Sequence, residues 1–379
     1  MNSNIRKQNS SKNDRWGDSL GIKNENNIRI SFQNVNGFLP KDEDNAKIKI
    51  RNVHDFIKDN NIDVHAMVEM NVRWSAVPKD QTINELSRGW FETQRVSCAY
   101  NLHDKICGKH QPGGAAIVTQ GEMALRWIET KYDKHNMGRW VSQLFRGKRN
   151  LKLRVVSVYF ATAQKEHGRK KIYMQQKLAL LKLHRKESVY EAFWHDFFLQ
   201  VDEWRSNGEQ LVIGGDWNMD VRKENFLQGF TDRNLIPSNI TRHGRDGPGT
   251  YCRGNLPIDE IFISTSIKIT ACGYLPNGEA AGDHRPIWID ICKTTALGTK
   301  LNDIASPQAR RLKCKDPRIV KRYNNVLLEN LRSNNFFTRL YTLYNEFETP
   351  LTTSQIWEME DLDLIRTNAM ILAEKNVVS

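Results

Sequence analysis

From Ile28 the chain alternates, with Ile28, Ile30 and Phe32 set against Arg29, Ser31 and Gln33. This is the period-two pattern of a strand, and it stops at Asn34-Val35-Asn36-Gly37. Ile48, Val53, Phe56 and Ile57 then recur at helical spacing, Asn60-Asn61 marks a stop, and Ile62 to Val68 reads as a second strand capped by Glu69. Further strands are expected at 113–118, 139–145 and 151–159, the last pair joined by the basic turn Arg146-Gly147-Lys148-Arg149. Residues 170–206 switch to a helical period, with Val189, Phe193, Phe197, Val201 and Trp204 on one stripe. Strand-like runs return at 211–215, 258–264 and 286–291, and helical patterns close the chain at 319–347 and 353–375.

The run Leu211-Val212-Ile213-Gly214-Gly215-Asp216-Trp217-Asn218 is the most pointed of these. An apolar strand ends at two glycines and presents a carboxylate and an amide. On extended backbone Asp216 and Asn218 leave on one face, with Trp217 opposite as packing. An Asx-type turn would suit the same residues, so the stretch alone leaves a site and a turn both open.

Composition narrows the setting. In 379 residues, 56 Lys and Arg outweigh 44 Asp and Glu for a net charge of +12, which favours a polyanionic partner, nucleic acid before membrane. Six scattered cysteines without a Cys-x-x-Cys pair fit a reducing compartment. No apolar run reaches membrane-span length and the N-terminus carries no signal core, so an intracellular, nuclear protein without a membrane partner is expected. Residues 1–26 are polar enough to be a disordered leader. Residues 27–292 form the main domain, 293–309 a linker and 310–379 a basic helical segment. The run 310–322 holds seven Lys or Arg against one Asp and is a candidate contact for DNA or RNA.

Polar residues collect at the strand ends: Asn34, Asn36, Glu69, Tyr159, Asp216, Asn218, Asp259, Asp283 and His284. In a layered β-rich fold neighbouring strand ends converge on one rim. Carboxylates and amides without cysteine make a hard oxygen site, suited to Mg²⁺ or Mn²⁺ more than to zinc. Such a site can hydrolyse a phosphodiester, a carboxylate taking a proton from water while amides and imidazole meet the developing charge. Each residue taken singly is more often a turn former or cap; their joint occurrence carries the reading. Cys98, His103, Cys107 and His110 share one loop, but their spacing fits an ordinary loop better than a zinc module.

Phe32-Gln33-Asn34-Val35-Asn36-Gly37, Glu69, Val158-Tyr159, Gly215-Asp216-Trp217-Asn218, Ile258-Asp259-Glu260-Ile261-Phe262-Ile263-Ser264 and Gly282-Asp283-His284-Arg285-Pro286 resemble, in order, the motifs of the endonuclease/exonuclease/phosphatase (DNase I-like) superfamily. The resemblance implies an α+β fold, a four-layer α/β/β/α sandwich, followed here by a short helical C-terminal segment. It implies a divalent-metal phosphoesterase in which Asp216 activates water, Asn218 orients phosphate or water, and Asn34 positions Asp216. Glu69 and Asn36 would hold the metal, Tyr159 and His284 contact phosphate, and Asp259 orient His284. Asp283 would sit near metal and leaving group. Thr250-Tyr251-Cys252-Arg253 corresponds by position to a loop that meets DNA in the family, which makes Thr250 and Arg253 candidate contacts; Trp74 and Tyr251 are aromatic groups near matching motifs.

Asn36 stands where many apurinic-site repair nucleases carry Asp, and Val68 precedes Glu69 where Gln is usual; both point away from the repair branch. Asn36, the closing pattern and the segment 310–323 are similar to non-LTR (LINE-like) retrotransposon polyproteins, with the chain ending before a reverse transcriptase, as a fragment or a truncated copy. The expected activity is a Mg²⁺-dependent endonuclease nicking DNA. The alternatives are a repair nuclease, a phosphoinositide or other phosphomonoester phosphatase of the same fold, and an inactive nucleic-acid-binding copy.

Overall fold

The structure, a computed structural model, describes residues 15–38, 43–104, 106–162, 171–298, 316–346 and 351–377. Thirteen strands are seen among them: β1 (Trp16–Gly17), β2 (Asn27–Asn34), β3 (Val64–Val68), β4 (Gln94–Ala99), β5 (Ala115–Gln120), β6 (Trp127–Tyr132), β7 (Trp140–Arg146), β8 (Lys152–Tyr159), β9 (Glu209–Asp216), β10 (Leu235–Pro237), β11 (Asp259–Ser264), β12 (Ile269–Tyr274) and β13 (Ile287–Cys292). They form a seven-stranded sheet in the order β1-β12-β13-β2-β3-β5-β4 and a six-stranded sheet in the order β10-β11-β9-β8-β7-β6.

The two sheets repeat one plan. β2 has a parallel neighbour, β3, and an antiparallel one, β13; β9 has the same in β8 and β11. The strands beyond these are antiparallel in both sheets. Alternation puts Phe32 of β2 against Gly214 of β9, where a Cβ on Gly214 would lie 2.9 Å from the Phe32 Cβ. Glycine is what lets the sheets meet this closely. Ser157 of β8 adds a tie, its hydroxyl donating to the Met67 carbonyl of β3 at 2.8 Å.

Helices cover the outer faces. Val53, Phe56 and Ile57 of the helix Glu43–Asp59 pack with Met67, Val118 and Trp288. On the other side Phe193, Phe197, Val201 and Trp204 of the helix Val189–Ser206 pack with Val156, Val158, Leu211 and Ile213. This is the expected α/β/β/α sandwich. Ile48, expected on the apolar stripe, is 56% exposed, and Lys49 takes the half-buried place beside it. The helical stretch 170–206 is two helices, Ile172–Lys182 and Val189–Ser206. The break follows from a capping box, Ser188 with Glu191.

The boundaries of the main domain shift outward. Residues 1–14 of the expected leader lie outside the described residues, but Trp16 stacks on Tyr274 and β1 pairs with β12. The residues expected to begin the linker form a helix, Lys293–Leu297, with Ala296 and Leu297 buried; the rest of the linker from 299 and residues 310–315 of the basic run 310–322 lie outside the described residues. The chain divides into two compact units, 1–300 and 301–379. In the second, the helices Pro317–Ser333, Phe336–Asn345 and Thr353–Lys375 pack together around Leu331, Leu343 and Leu362, and Arg339 pairs with Glu358 and Asp361. No helix among the described residues is long and apolar enough to cross a membrane.

Candidate active site

Strand register alone sets three candidates side by side: Tyr159 and Asp259 are the neighbours of Asp216 on either flank of β9. From the other sheet Asn34, at the end of β2, donates its amide to the Asp216 carboxylate at 2.8 Å. The site therefore lies along one edge of the sandwich, built from both sheets.

The turns that leave β2 and β9 are alike. The Asn36 N–H donates to the Asn34 side-chain oxygen at 2.9 Å, and the Asn218 N–H to the Asp216 carboxylate at 2.9 Å. Asn36 and Asn218 sit at φ +45° and +51°, a left-handed conformation that asparagine tolerates better than most residues. Glu69, at φ +52°, ends β3 in the same conformation. So Asp216-Trp217-Asn218 is both a turn and part of the site. Its backbone is not extended, and the Asn218 amide donates to the Phe160 carbonyl at 2.8 Å. Trp217 is buried, as expected, and stacks on Trp194; a Cβ on Gly215 would strike its ring at 2.6 Å.

Around Asp216 the remaining groups form two sets. His284 Nδ1 donates to Asp259 at 2.8 Å, and the Gln33 amide holds the His284 carbonyl at 2.9 Å. On the other side the Tyr159 hydroxyl donates to Glu69, and the Asn36 amide donates to Asp283 at 3.0 Å. Lys49, absent from the sequence-based candidates, donates to the Asn36 carbonyl at 2.9 Å.

Thr250 is placed otherwise than expected. It is fully buried, and its hydroxyl accepts the N–H groups of Ile258 and Asp259 at 3.0 and 3.2 Å. Facing inward, it fixes the start of β11 and so the position of Asp259, and it cannot touch DNA. Trp74 likewise belongs to the core under the seven-stranded sheet. Arg253 is exposed, stacks over Tyr251, and reaches to 3.7 Å from Asp283 at the rim.

Burial dominates the protonation of the site. It pushes the Asp216 carboxyl well above the usual carboxylate range, the charges of Asp259 and Glu69 push the same way, and His284 opposes them. Burial also raises Glu69, against the Tyr159 hydrogen bond. Tyr159, buried beside Glu69 and Asp216, is held well above the ordinary phenol range and keeps its proton. For His284 burial works downward, but the charges of Asp259, Asp216 and Asp283 raise it to about 10. The imidazole is a cation at neutral pH.

Among the described residues, Asp216, Asp259 and His284 could together hold a metal ion, as could Asp18, His243 and Cys272; Cys98, His103, Cys107 and His110 form no such group. Asp18 is already bound by Arg242 and the Cys272 N–H, an anchor for the start of the chain. In the edge site Asp259 keeps one buried carboxylate oxygen without a hydrogen-bond partner. Crowded carboxyls, an unmatched oxygen and a ligand set of oxygens fit a hard divalent cation. Of the first group, Asp259 spends one carboxylate oxygen on His284 and keeps the other free.

The sequence profile of the Endonuclease/Exonuclease/phosphatase family matches residues 32–284. Among solved structures the fold is similar to the AP endonuclease LMAP from Leishmania major, at 11% identity over 70% of this chain and 88% of that one, with a TM-score of 0.51. It is also similar to the 3′ phosphatase NExo from Neisseria bound to a product DNA hairpin, at 16% identity over 69% and 98%, TM-score 0.46. A third is the endonuclease domain of TRAS1, a telomere-specific non-LTR retrotransposon, at 13% identity over 72% and 100%, TM-score 0.42. No curated protein matches the sequence. With the family pattern running from β2 to the histidine that completes the site, the chain belongs to the Endonuclease/Exonuclease/phosphatase family.

Proposed function

We propose that this protein is a divalent-metal-dependent endonuclease that hydrolyses phosphodiester bonds of DNA, nicking target DNA in the manner a non-LTR retrotransposon requires. The observation that carries the reading is Asp216 itself: buried, gripped by Asn34, and set between Tyr159 and the Asp259–His284 pair. A carboxylate so held is oriented as a general base toward one point in the cleft. The net charge of +12 supports a polyanionic substrate, and exposed Arg253 at the rim supplies a phosphate contact.

Glu69, Asn36 and Asp283 would hold Mg²⁺ or Mn²⁺, which when bound supplies positive charge to the scissile phosphate. The residues of the chain do the rest. Asp216 accepts a proton from the attacking water, and Asn34 keeps its carboxylate aimed. His284, fixed as a cation by Asp259, and the Tyr159 hydroxyl stabilise the developing negative oxygens. Asn36 in place of a carboxylate leaves the metal group one charge short, which separates this site from the repair pattern.

The test is nicking of supercoiled plasmid in Mg²⁺ by the wild type and by Asp216→Ala, with an abasic-site oligonucleotide and a phosphomonoester run in parallel. Nicking by the wild type alone supports the proposal. Equal plasmid integrity with both proteins sinks it, and preference for the abasic or monoester substrate transfers the site to the repair or phosphatase reading.

A further inference from the structure

From the helix Glu43–Asp59 of the outer layer, Lys49 reaches the edge site. It lies one turn before Val53, whose side chain is buried in the core, so the helix sets it, half-buried, on the flank of the face that packs against the sheet. Its ammonium donates to the carbonyl of Asn36, the residue whose amide binds Asp283. Glu69 and Asp283 lie close enough for their charges to act on it, yet among the described residues its only hydrogen bond is to that neutral carbonyl. The Asn36 backbone thus holds the ammonium beside the carboxylates, while the Asn36 side-chain amide is spent on Asp283.

We propose that Lys49 is a built-in cation of the site, which takes part of the electrostatic place of the divalent ion beside Glu69 and Asp283 and meets the DNA phosphate when substrate binds. The proposal rests on the endonuclease reading. Its signature is a pair of opposite effects. A fixed positive charge near the ligand group repels a divalent ion and attracts a phosphodiester. A lysine that merely braced the Asn36 turn would, when removed, weaken both or neither.

Manganese binding to the DNA-free protein, followed by calorimetry, and binding of a short duplex in EDTA, followed by anisotropy across a salt series, read these effects without turnover. Lys49→Met is expected to bind Mn²⁺ roughly tenfold more tightly. Its duplex affinity should fall several-fold, with a salt slope shallower by about one. Lys49→Arg, which keeps the charge, should leave both affinities within about twofold of the wild type, and thermal melts check that each variant folds. Unchanged or jointly weakened affinities in a folded Lys49→Met overturn the proposal while leaving the endonuclease reading intact if the wild type binds Mn²⁺ and nicks. A wild type that neither binds Mn²⁺ nor nicks overturns both.

Discussion

The turns that end β2 and β9 are built alike and used differently. In each, the first side chain accepts the N–H of the third residue at 2.9 Å, the middle side chain is buried, and the third residue is a left-handed asparagine. They occupy equivalent places in two sheets of one topology, and their first residues bond to each other. The difference is one functional group: Asn34 carries an amide where Asp216 carries a carboxyl. Two aspartates would repel at this distance and two asparagines would supply no base; under the endonuclease proposal, one of each gives a base and the donor that aims it.

If this division of labour is right, the two residues are unequal in catalysis. Asp216→Ala should lower the single-turnover nicking rate by about 10²- to 10⁴-fold, as expected for a general base. Asn34→Ala should cost only about 10- to 100-fold, as for a residue that orients another. Equal losses would mean that the two turns contribute alike and that the carboxyl is not the base.

The outer faces of the two sheets differ in a second way, visible in stability against pH. Behind the seven-stranded sheet His65 is fully buried, bonded to Ser31 at 2.7 Å, and burial lowers it to about 3. The unfolded chain takes up this proton near pH 6.5 but the folded one does not until about 3. Stability should therefore fall as pH drops through that window, by up to about 5 kcal/mol, and His65→Gln should flatten the fall in urea titrations. Behind the six-stranded sheet Glu260 is buried against Ser238 and Asn239, and burial raises it to about 7. Here the sign reverses. The unfolded carboxyl ionises near 4.5, the folded one near 7, so stability is lost as pH rises between them, by up to about 3 kcal/mol. Glu260→Gln should remove that slope, leaving the variant relatively more stable at pH 8 than at pH 5; a slope that persists would place its origin elsewhere. The smallest expected effect is at the contact between the sheets. Gly214→Ala, which sets a methyl against Phe32, should cost about 1–3 kcal/mol by denaturant midpoint, whereas alanine at exposed Gly89, another comparison glycine, adds nothing that clashes but must adopt φ +82°.

The strand ends were legible because each is an apolar run that stops abruptly at a polar group, which is why Asn34, Glu69, Tyr159, Asp216 and Asp259 could be gathered before any geometry was known. Strands β1, β4, β6, β10 and β12 were not, since the first four are sheet edges, short or weakly alternating, and β12 runs through the small or polar residues Thr270, Ala271, Cys272 and Gly273. Lys49 is not legible as a site residue, because a lysine on an amphipathic helix reads as a solvated face and only the fold brings it to the Asn36 carbonyl. Thr250 misled for the opposite reason: its place near a DNA-facing loop says nothing about which way the hydroxyl points. The role of Gly214 was equally invisible, because its neighbour Phe32 lies in another sheet.

The six-stranded sheet is made from one unbroken stretch of chain, Trp127 to Ser264, whereas the seven-stranded sheet takes β1 to β5 from before it and β12 and β13 from after it. During synthesis, therefore, β2 waits with an open edge until β13 leaves the ribosome to pair with it. Asp283 and His284 arrive just ahead of that strand. The order of translation thus makes hydrolytic competence one of the last properties the nascent domain acquires, and the same unpaired edge is where a stalled or shortened chain would be most prone to aggregate.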